Sequence, residues 1–171
     1  ILNPQSSVLL PMSKIKGYLQ LMRPANVVTS VADVLAGIAI SGVFTSLFFT
    51  SDYILPIIVL CFSTAFLYSG GVVFNDVFDA GLDKIERPER AIPSGIITVK
   101  EAGILGGLLL LLGVILASVC GFIPALLAIL IVFFALVYNK WGKHHAFLGP
   151  LNMGVCRGLN LLLGISILTS A

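Results

Sequence analysis

Charged side chains are scarce in this chain. Of its 171 residues, 11% are Asp, Glu, Lys or Arg and 58% are hydrophobic. Soluble globular domains carry about 25% charged residues, so the composition excludes an ordinary soluble domain and indicates an integral protein of the lipid bilayer. The net charge of +2, without a basic stripe interleaved with aromatic residues, gives no support for nucleic-acid binding.

Cysteine and acidic residues are limited as well. Cys61, Cys120 and Cys156 lie in apolar surroundings without metal-ligand spacing, so they predict small core residues and no disulfide framework. No Asp or Glu follows Glu101.

Five apolar segments are long enough to cross a bilayer, whose hydrocarbon core of about 30 Å requires about 20 helical residues. These segments run over about 26–49, 53–74, 99–119, 122–138 and 147–170. A shorter amphipathic segment at 12–22 predicts a helix at the membrane interface. We therefore predict an all-α, polytopic transmembrane helical bundle, with an N-terminal segment over 1–25 and the transmembrane domain over 26–171.

Basic residues are distributed unequally among the connections. Nine of the ten Lys and Arg residues precede the first segment or follow the second and the fourth, and the tenth, Arg157, lies inside the fifth segment. Basic loops stay on the cytoplasmic side of a membrane. We therefore expect the N-terminus and the polar loops at 81–100 and 139–145 on the cytoplasmic or equivalent side, together with any chemistry.

Three carboxylates gather where the second apolar segment ends. Asn75, Asp76, Asp79 and Asp83 recur at intervals that would place them on one face of a continuous helix. Burying like charges beside a bilayer is costly unless a cation offsets them. Oxygen ligands suit Mg²⁺, which usually binds one or two carboxylates together with substrate phosphates. A solvated acidic turn at a helix end is the alternative interpretation.

Basic residues accompany this acidic motif. Lys84, Arg87 and Arg90 follow it directly, and Lys140 and Lys143 lie in the second polar loop. Metal-bound carboxylates with nearby Arg and Lys favour a diphosphate site, because both can share the phosphate oxygens. Attraction to anionic lipids is the alternative for the two loop lysines.

Two charged residues lie deep within apolar segments, Asp33 in the first and Arg157 in the fifth. An arginine within a span costs at least ~2.5 kcal/mol, so Arg157 should face the bundle interior and have a partner. We predict an Asp33–Arg157 ion pair or, failing that, a contact between Arg157 and a substrate anion. A transport module with Asp33, Arg157 and Asn160 along an ion path is an alternative function.

The acidic motif and the residues after it also carry a family resemblance. Asn75-Asp76-x-x-Asp79-x-x-x-Asp83, followed by Arg87-Pro88-x-Arg90-x-Ile92-Pro93-Ser94-Gly95, resembles the first signature of the UbiA superfamily of intramembrane prenyltransferases. Arg23-Pro24 and Tyr138-x-Lys140 also resemble family features. The fifth segment, with Met153-Gly154-x-Cys156-Arg157-x-Leu159-Asn160, is more similar to the EboC-like branch than to the quinone-forming enzymes.

The resemblance implies a commonly nine-span helical fold, in which two Asp-rich motifs bind Mg²⁺ and an isoprenyl diphosphate. The later Asp-x-x-x-Asp motif is absent, the first residue is Ile1 rather than Met, and the last residue, Ala171, lies inside an apolar stretch. We therefore expect a chain that is incomplete at both ends and corresponds to the N-terminal half of the family fold.

The implied reaction is Mg-dependent transfer of a prenyl group from an isoprenyl diphosphate to a small or lipophilic acceptor. Asn75, Asp76 and Asp79 would hold Mg²⁺, and Asp83 would assist the metal or orient the loop. Asp76, Asp79, Asp83 and Arg90 are the implied catalytic residues. The implied substrate-binding residues are Arg23, Asn26, Lys84, Arg87, Tyr138, Lys140, Lys143, Arg157 and Asn160. A non-catalytic homologue is the alternative.

Overall fold

A computed structural model describes residues 13–44 and 51–169 of the chain. Within these ranges the regular structure is helical, without strands. The α-helices are α1 (Lys14–Met22), α2 (Pro24–Ile40), α3 (Ile54–Phe78), α4 (Ala80–Glu86), α5 (Val99–Val119), α6 (Phe122–Lys140) and α7 (Leu148–Ile165). Five helical units are long and apolar enough to span a membrane, with α1 and α2 counted as one. The prediction of an all-α, multi-pass membrane bundle is confirmed.

The outer surface of the bundle suits a lipid environment. Large apolar side chains such as Leu108, Leu112 and Phe133 are exposed on α5 and α6. The buried core lies between the helices and includes Val34, Leu67 and Leu163. Apolar side chains are stable on this surface because lipid tails, rather than water, surround a bundle that spans a membrane.

Some helix bounds differ from the sequence predictions. α2 ends at Ile40 and a turn follows over 41–44, and the predicted continuation over 45–49 lies outside the described residues, as do 1–12 and 170–171. The predicted loop at 81–100 begins with α4, because its helix breakers, Pro88, Pro93 and Gly95, all come later. The first two residues of the predicted loop at 139–145 belong to α6, which ends at Lys140.

The junction between α1 and α2 is formed by Arg23 and Pro24. Arg23 adopts a left-handed conformation (φ 47°, ψ 61°) and Pro24 is the first residue of α2. A left-handed residue ends a helix, whereas the fixed φ of proline suits the first turn of the next one. The regular helix is therefore interrupted at Arg23, whose side chain reaches the end of α3.

Glycines allow α2 and α7 to pack in close contact. A Cβ at Gly37 would overlap with the carbonyl oxygen of Leu161, and one at Gly164 would overlap with that of Val34. Small residues let helix backbones approach closely, which is a main source of helix association in membranes. The contact fixes the two helices that carry Asp33 and Arg157.

The polar connections meet at one end of the bundle. Arg23, Arg90 and Lys143 come from three separate connections, and each contacts an Asp at the end of α3. At the opposite end Gly121 (φ 131°) lies in the tight turn between α5 and α6. The polar segments therefore share one end of the bundle, as predicted. The location of this end on the cytoplasmic side of the membrane stays a prediction.

Candidate functional site

The acidic motif lies where α3 ends and α4 begins. Asp79 occupies the junction, capping α3 before Ala80 starts α4. The four side chains do not share one face: Asp76 and Asp83 contact one set of cations, and Asn75 and Asp79 another. The expectation of one shared face applied to a continuous helix, whereas the helical path is interrupted at Asp79, between the end of α3 and the start of α4.

Asp76 and Asp83 belong to a network that is largely buried. Arg23 Nη2 donates to Asp76 Oδ1 at 2.6 Å, and Arg90 Nη1 lies 2.7 Å from Asp83 Oδ2 and 3.4 Å from Asp76 Oδ1. Burial of Arg90 disfavours its charge, but the hydrogen bond to Asp83 and the charge of Asp76 outweigh burial and raise the pKa of Arg90. Arg90 thus stays cationic and ties the loop at 87–98 to α3.

Asn75 and Asp79 form the second group, with Lys143. Lys143 Nζ donates a short hydrogen bond to Asp79 and lies 3.5 Å from Asn75 Oδ1. The side chains of Lys143 and Asp79 are both mostly buried. The connection between α6 and α7 is therefore fastened to the end of α3 by a charge-assisted contact.

A cavity of about 400 Å³ lies among α2, α3, α6 and α7. Arg23, Asn75 and Tyr138 line it near the polar end, and Arg157 and Asn160 line it deeper in the bundle. Much of the remaining wall is apolar. The space can therefore hold an apolar chain whose polar end lies at the acidic motif.

The predicted Asp33–Arg157 pair is confirmed. Arg157 Nη2 lies 2.8 Å from Asp33 Oδ1, and Arg157 Nε lies 3.2 Å from Asp33 Oδ2. Nearby, the Thr64 hydroxyl donates to Asn160 Oδ1 at 2.9 Å, and both side chains are buried. The intramembrane polar residues thus find partners on neighbouring helices, as the cost of leaving them unpaired requires.

Comparison with known proteins agrees with this geometry. Residues 31–171 match the model of the UbiA prenyltransferase family. The chain belongs to the UbiA prenyltransferase family. It is 37% identical over 164 residues to digeranylgeranylglyceryl phosphate synthase of Methanosarcina mazei, covering 90% of this chain and 55% of that protein. It is 34% identical over 152 residues to the protein of the same name in Sulfolobus acidocaldarius, covering 88% and 52%.

A solved structure supports the same fold. A structure described as giving insights into digeranylgeranylglyceryl phosphate synthase in membranes superposes with a TM-score of 0.80 at 31% identity, covering 90% of this chain and 53% of that one. This UbiA-family chain therefore spans about half the length of the relatives it matches. Its likeness to the EboC-like branch stays a prediction.

The implied substrate-binding residues of this UbiA-family chain divide into two groups. Arg23, Tyr138, Arg157 and Asn160 line the cavity, and Lys143 holds the acidic motif beside it. The others are exposed and do not line the cavity as far as it is described: Asn26, Lys84, Arg87 and Lys140. Lys140 Nζ lies 4.4 Å from the ring centroid of Trp141. A substrate contact for these exposed residues stays a prediction.

Sequence reasoning missed three polar or aromatic residues of this region. Asn139 Nδ2 donates to the Gly71 carbonyl at 2.7 Å and ties α6 to α3. Tyr68 lines the cavity, and Thr64 holds Asn160. These residues could have been found as polar side chains within apolar segments. Buried hydroxyl and amide groups in membrane helices usually form hydrogen bonds to neighbouring helices.

The oxygen donors suit Mg²⁺ shared with a substrate. Within the described ranges, no three His, Cys, Asp or Glu residues lie close enough to hold a metal by themselves. Mg²⁺ usually takes only one or two carboxylates and completes its shell with phosphates and water. A metal at Asn75, Asp76 and Asp79 would therefore have to arrive with a diphosphate, and these three residues as its ligands stay a prediction.

Proposed function

We propose that this UbiA-family chain carries the diphosphate-binding end of an intramembrane prenyltransferase. The observation that carries the proposal is the pairing of the acidic motif with cations, Asp76 with Arg23 and Asn75 and Asp79 with Lys143, at the end of the cavity that Arg23 and Asn75 line. Acidic and basic groups in this arrangement suit a diphosphate, whereas the apolar wall suits its isoprenyl chain.

The chemistry is the replacement of diphosphate by an acceptor nucleophile. The bond between the prenyl carbon and the diphosphate oxygen breaks, and its electron pair leaves with the diphosphate. Mg²⁺ held by Asn75, Asp76 and Asp79 would supply positive charge to that leaving group. Arg23 and Lys143 add donors to the phosphate oxygens. The apolar wall excludes water, so the acceptor forms the new bond and then loses its proton.

The acceptor we propose is a lipid that carries a glyceryl phosphate, and the donor is a geranylgeranyl-type diphosphate. Support comes from the relatives, which are named digeranylgeranylglyceryl phosphate synthases. We also propose that the polar end faces the cytoplasmic side, because nearly all Lys and Arg residues gather there.

The test is an assay of the full-length protein in membranes with radiolabelled isoprenyl diphosphates and Mg²⁺. We expect labelled lipid product with a glyceryl phosphate acceptor and none when the divalent metal is chelated. Product from aromatic acceptors alone would contradict the acceptor assignment. Ion flux without consumption of diphosphate would support the transport alternative instead.

A further inference from the structure

Arg157 is only partly engaged by Asp33. The two contacts use Nε and Nη2 of the guanidinium, which has five N–H donors in all. The Arg157 side chain is 65% exposed, compared with 21% for Asp33. Because Arg157 also lines the cavity, its guanidinium can offer its remaining donors to an occupant while the Asp33 carboxylate holds the other two.

The pair lies well below the polar end of the bundle. Arg157 is nine residues after the first residue of α7, which corresponds to about 14 Å at 1.5 Å per residue. Asp33 is nine residues after the first residue of α2. The charged residues that line the cavity, among those described, are Arg23, Asp33 and Arg157. The cavity therefore has two separate cationic positions, one at its mouth and one at depth.

We infer that Arg157 binds the phosphate of the lipid acceptor, an inference that rests on the proposed function. The donor diphosphate occupies the mouth, beside Arg23 and the acidic motif. The acceptor hydroxyl must come within about 3–3.5 Å of the prenyl carbon, so the acceptor head group enters the same cavity. Its phosphate is only a few bonds from that hydroxyl and needs a counter-charge of its own, which the planar fork of Arg157 supplies.

Asp33 is the positioning residue of this site. Without substrate it neutralises Arg157, because an unpaired arginine in a membrane span is costly. Its two carboxylate oxygens also fix the plane of the guanidinium. The acceptor phosphate then meets a fork that is already oriented, which reduces the entropy lost on binding.

The test compares a glyceryl phosphate lipid with the same lipid after removal of its phosphate. Both are assayed as acceptors with the full-length protein in membranes. Wild type should prefer the phosphate form, and Arg157→Gln should lose about 10- to 100-fold of that preference, as expected for hydrogen bonds to a charged group. The KM for the donor should stay unchanged. Lys100→Gln, which removes an exposed positive charge near the start of α5, is the matched control.

Asp33→Asn should raise the KM for the phosphate acceptor and leave the KM for the donor and the use of the dephosphorylated acceptor unchanged. If Arg157→Gln does not fold because Asp33 is left unpaired, the double variant Asp33→Asn/Arg157→Gln removes both charges and should still lack the phosphate preference. An unchanged preference in either variant, or a raised donor KM, would overturn the inference. If wild type converts neither lipid, the proposed function fails, and this assignment fails with it.

Discussion

Asp76 depends on two arginines from separate segments of the chain. Its side chain is 8% exposed, and Arg23 and Arg90 both approach the same carboxylate oxygen. Arg90 also contacts Asp83. A buried carboxylate is tolerated only when it is paired, and removing one partner leaves an uncompensated charge. The two arginines therefore stabilise the buried charge of Asp76 at the end of α3.

Replacement of Arg90 tests this support. Arg90→Gln should lower the free energy of unfolding by about 3 kcal/mol, because it removes the partner of Asp83 and weakens the pairing of Asp76. Reversible unfolding in detergent micelles measures the change. Arg87→Gln removes an exposed charge three residues earlier and should change stability by less than about 0.5 kcal/mol. Equal effects of the two variants would show that the network is not stabilising.

At the scale of the helix, a glycine allows close packing only where it faces a neighbouring helix. Gly164 of α7 lies against Val34 and Gly37 of α2, whereas a Cβ at Gly158 of the same helix would meet nothing within 4 Å. The two glycines thus provide a matched pair within one helix. One is required by contact between backbones, and the other is not.

Alanine substitutions should separate these two glycines. Gly164→Ala should destabilise the protein, because the new methyl group forces α7 away from α2. Gly158→Ala should be neutral or stabilising by about 0.5–1 kcal/mol, since glycine weakens a helix interior. Thermal unfolding in micelles measures both. A stable Gly164→Ala variant would contradict the close α2–α7 contact.

The helices were easier to predict from the sequence than the way their side chains meet. The limits of α5 match the predicted segment because apolar length alone defines a span. The acidic motif was expected on one face of a continuous helix, but the interruption at Asp79 and the cations that its residues bind depend on tertiary contacts. The Asp33–Arg157 pair could be predicted because an intramembrane charge requires a partner.

For the molecule as a whole, the arrangement brings three distant connections to one end of the bundle. Arg23, Arg90 and Lys143 are far apart in sequence and meet at the end of α3. The positive-inside rule could predict that these connections share a side. It could not predict which cation binds which carboxylate, because that depends on the packing of α2, α3 and α6.

Cysteine labelling tests the orientation of the bundle. Glu89→Cys lies in the polar connection after α4, and Asp52→Cys lies beyond the other end of α3. In intact cells an impermeant thiol reagent should label Asp52→Cys and leave Glu89→Cys unlabelled until the membrane is opened. The reverse pattern would place the acidic motif on the outer side and contradict the positive-inside assignment.

The most direct test of the central claim is prenyl transfer by Asp76→Ala and Asp79→Ala in membranes that contain the full-length protein. Glu86→Gln, which alters an exposed carboxylate at the end of α4, is the control, and protein levels are matched. Loss of a group that stabilises the leaving diphosphate should reduce turnover about 100-fold or more in both Asp variants, with the control unchanged. Wild-type product formation by either Asp variant would contradict the assignment of this acidic motif to the diphosphate site.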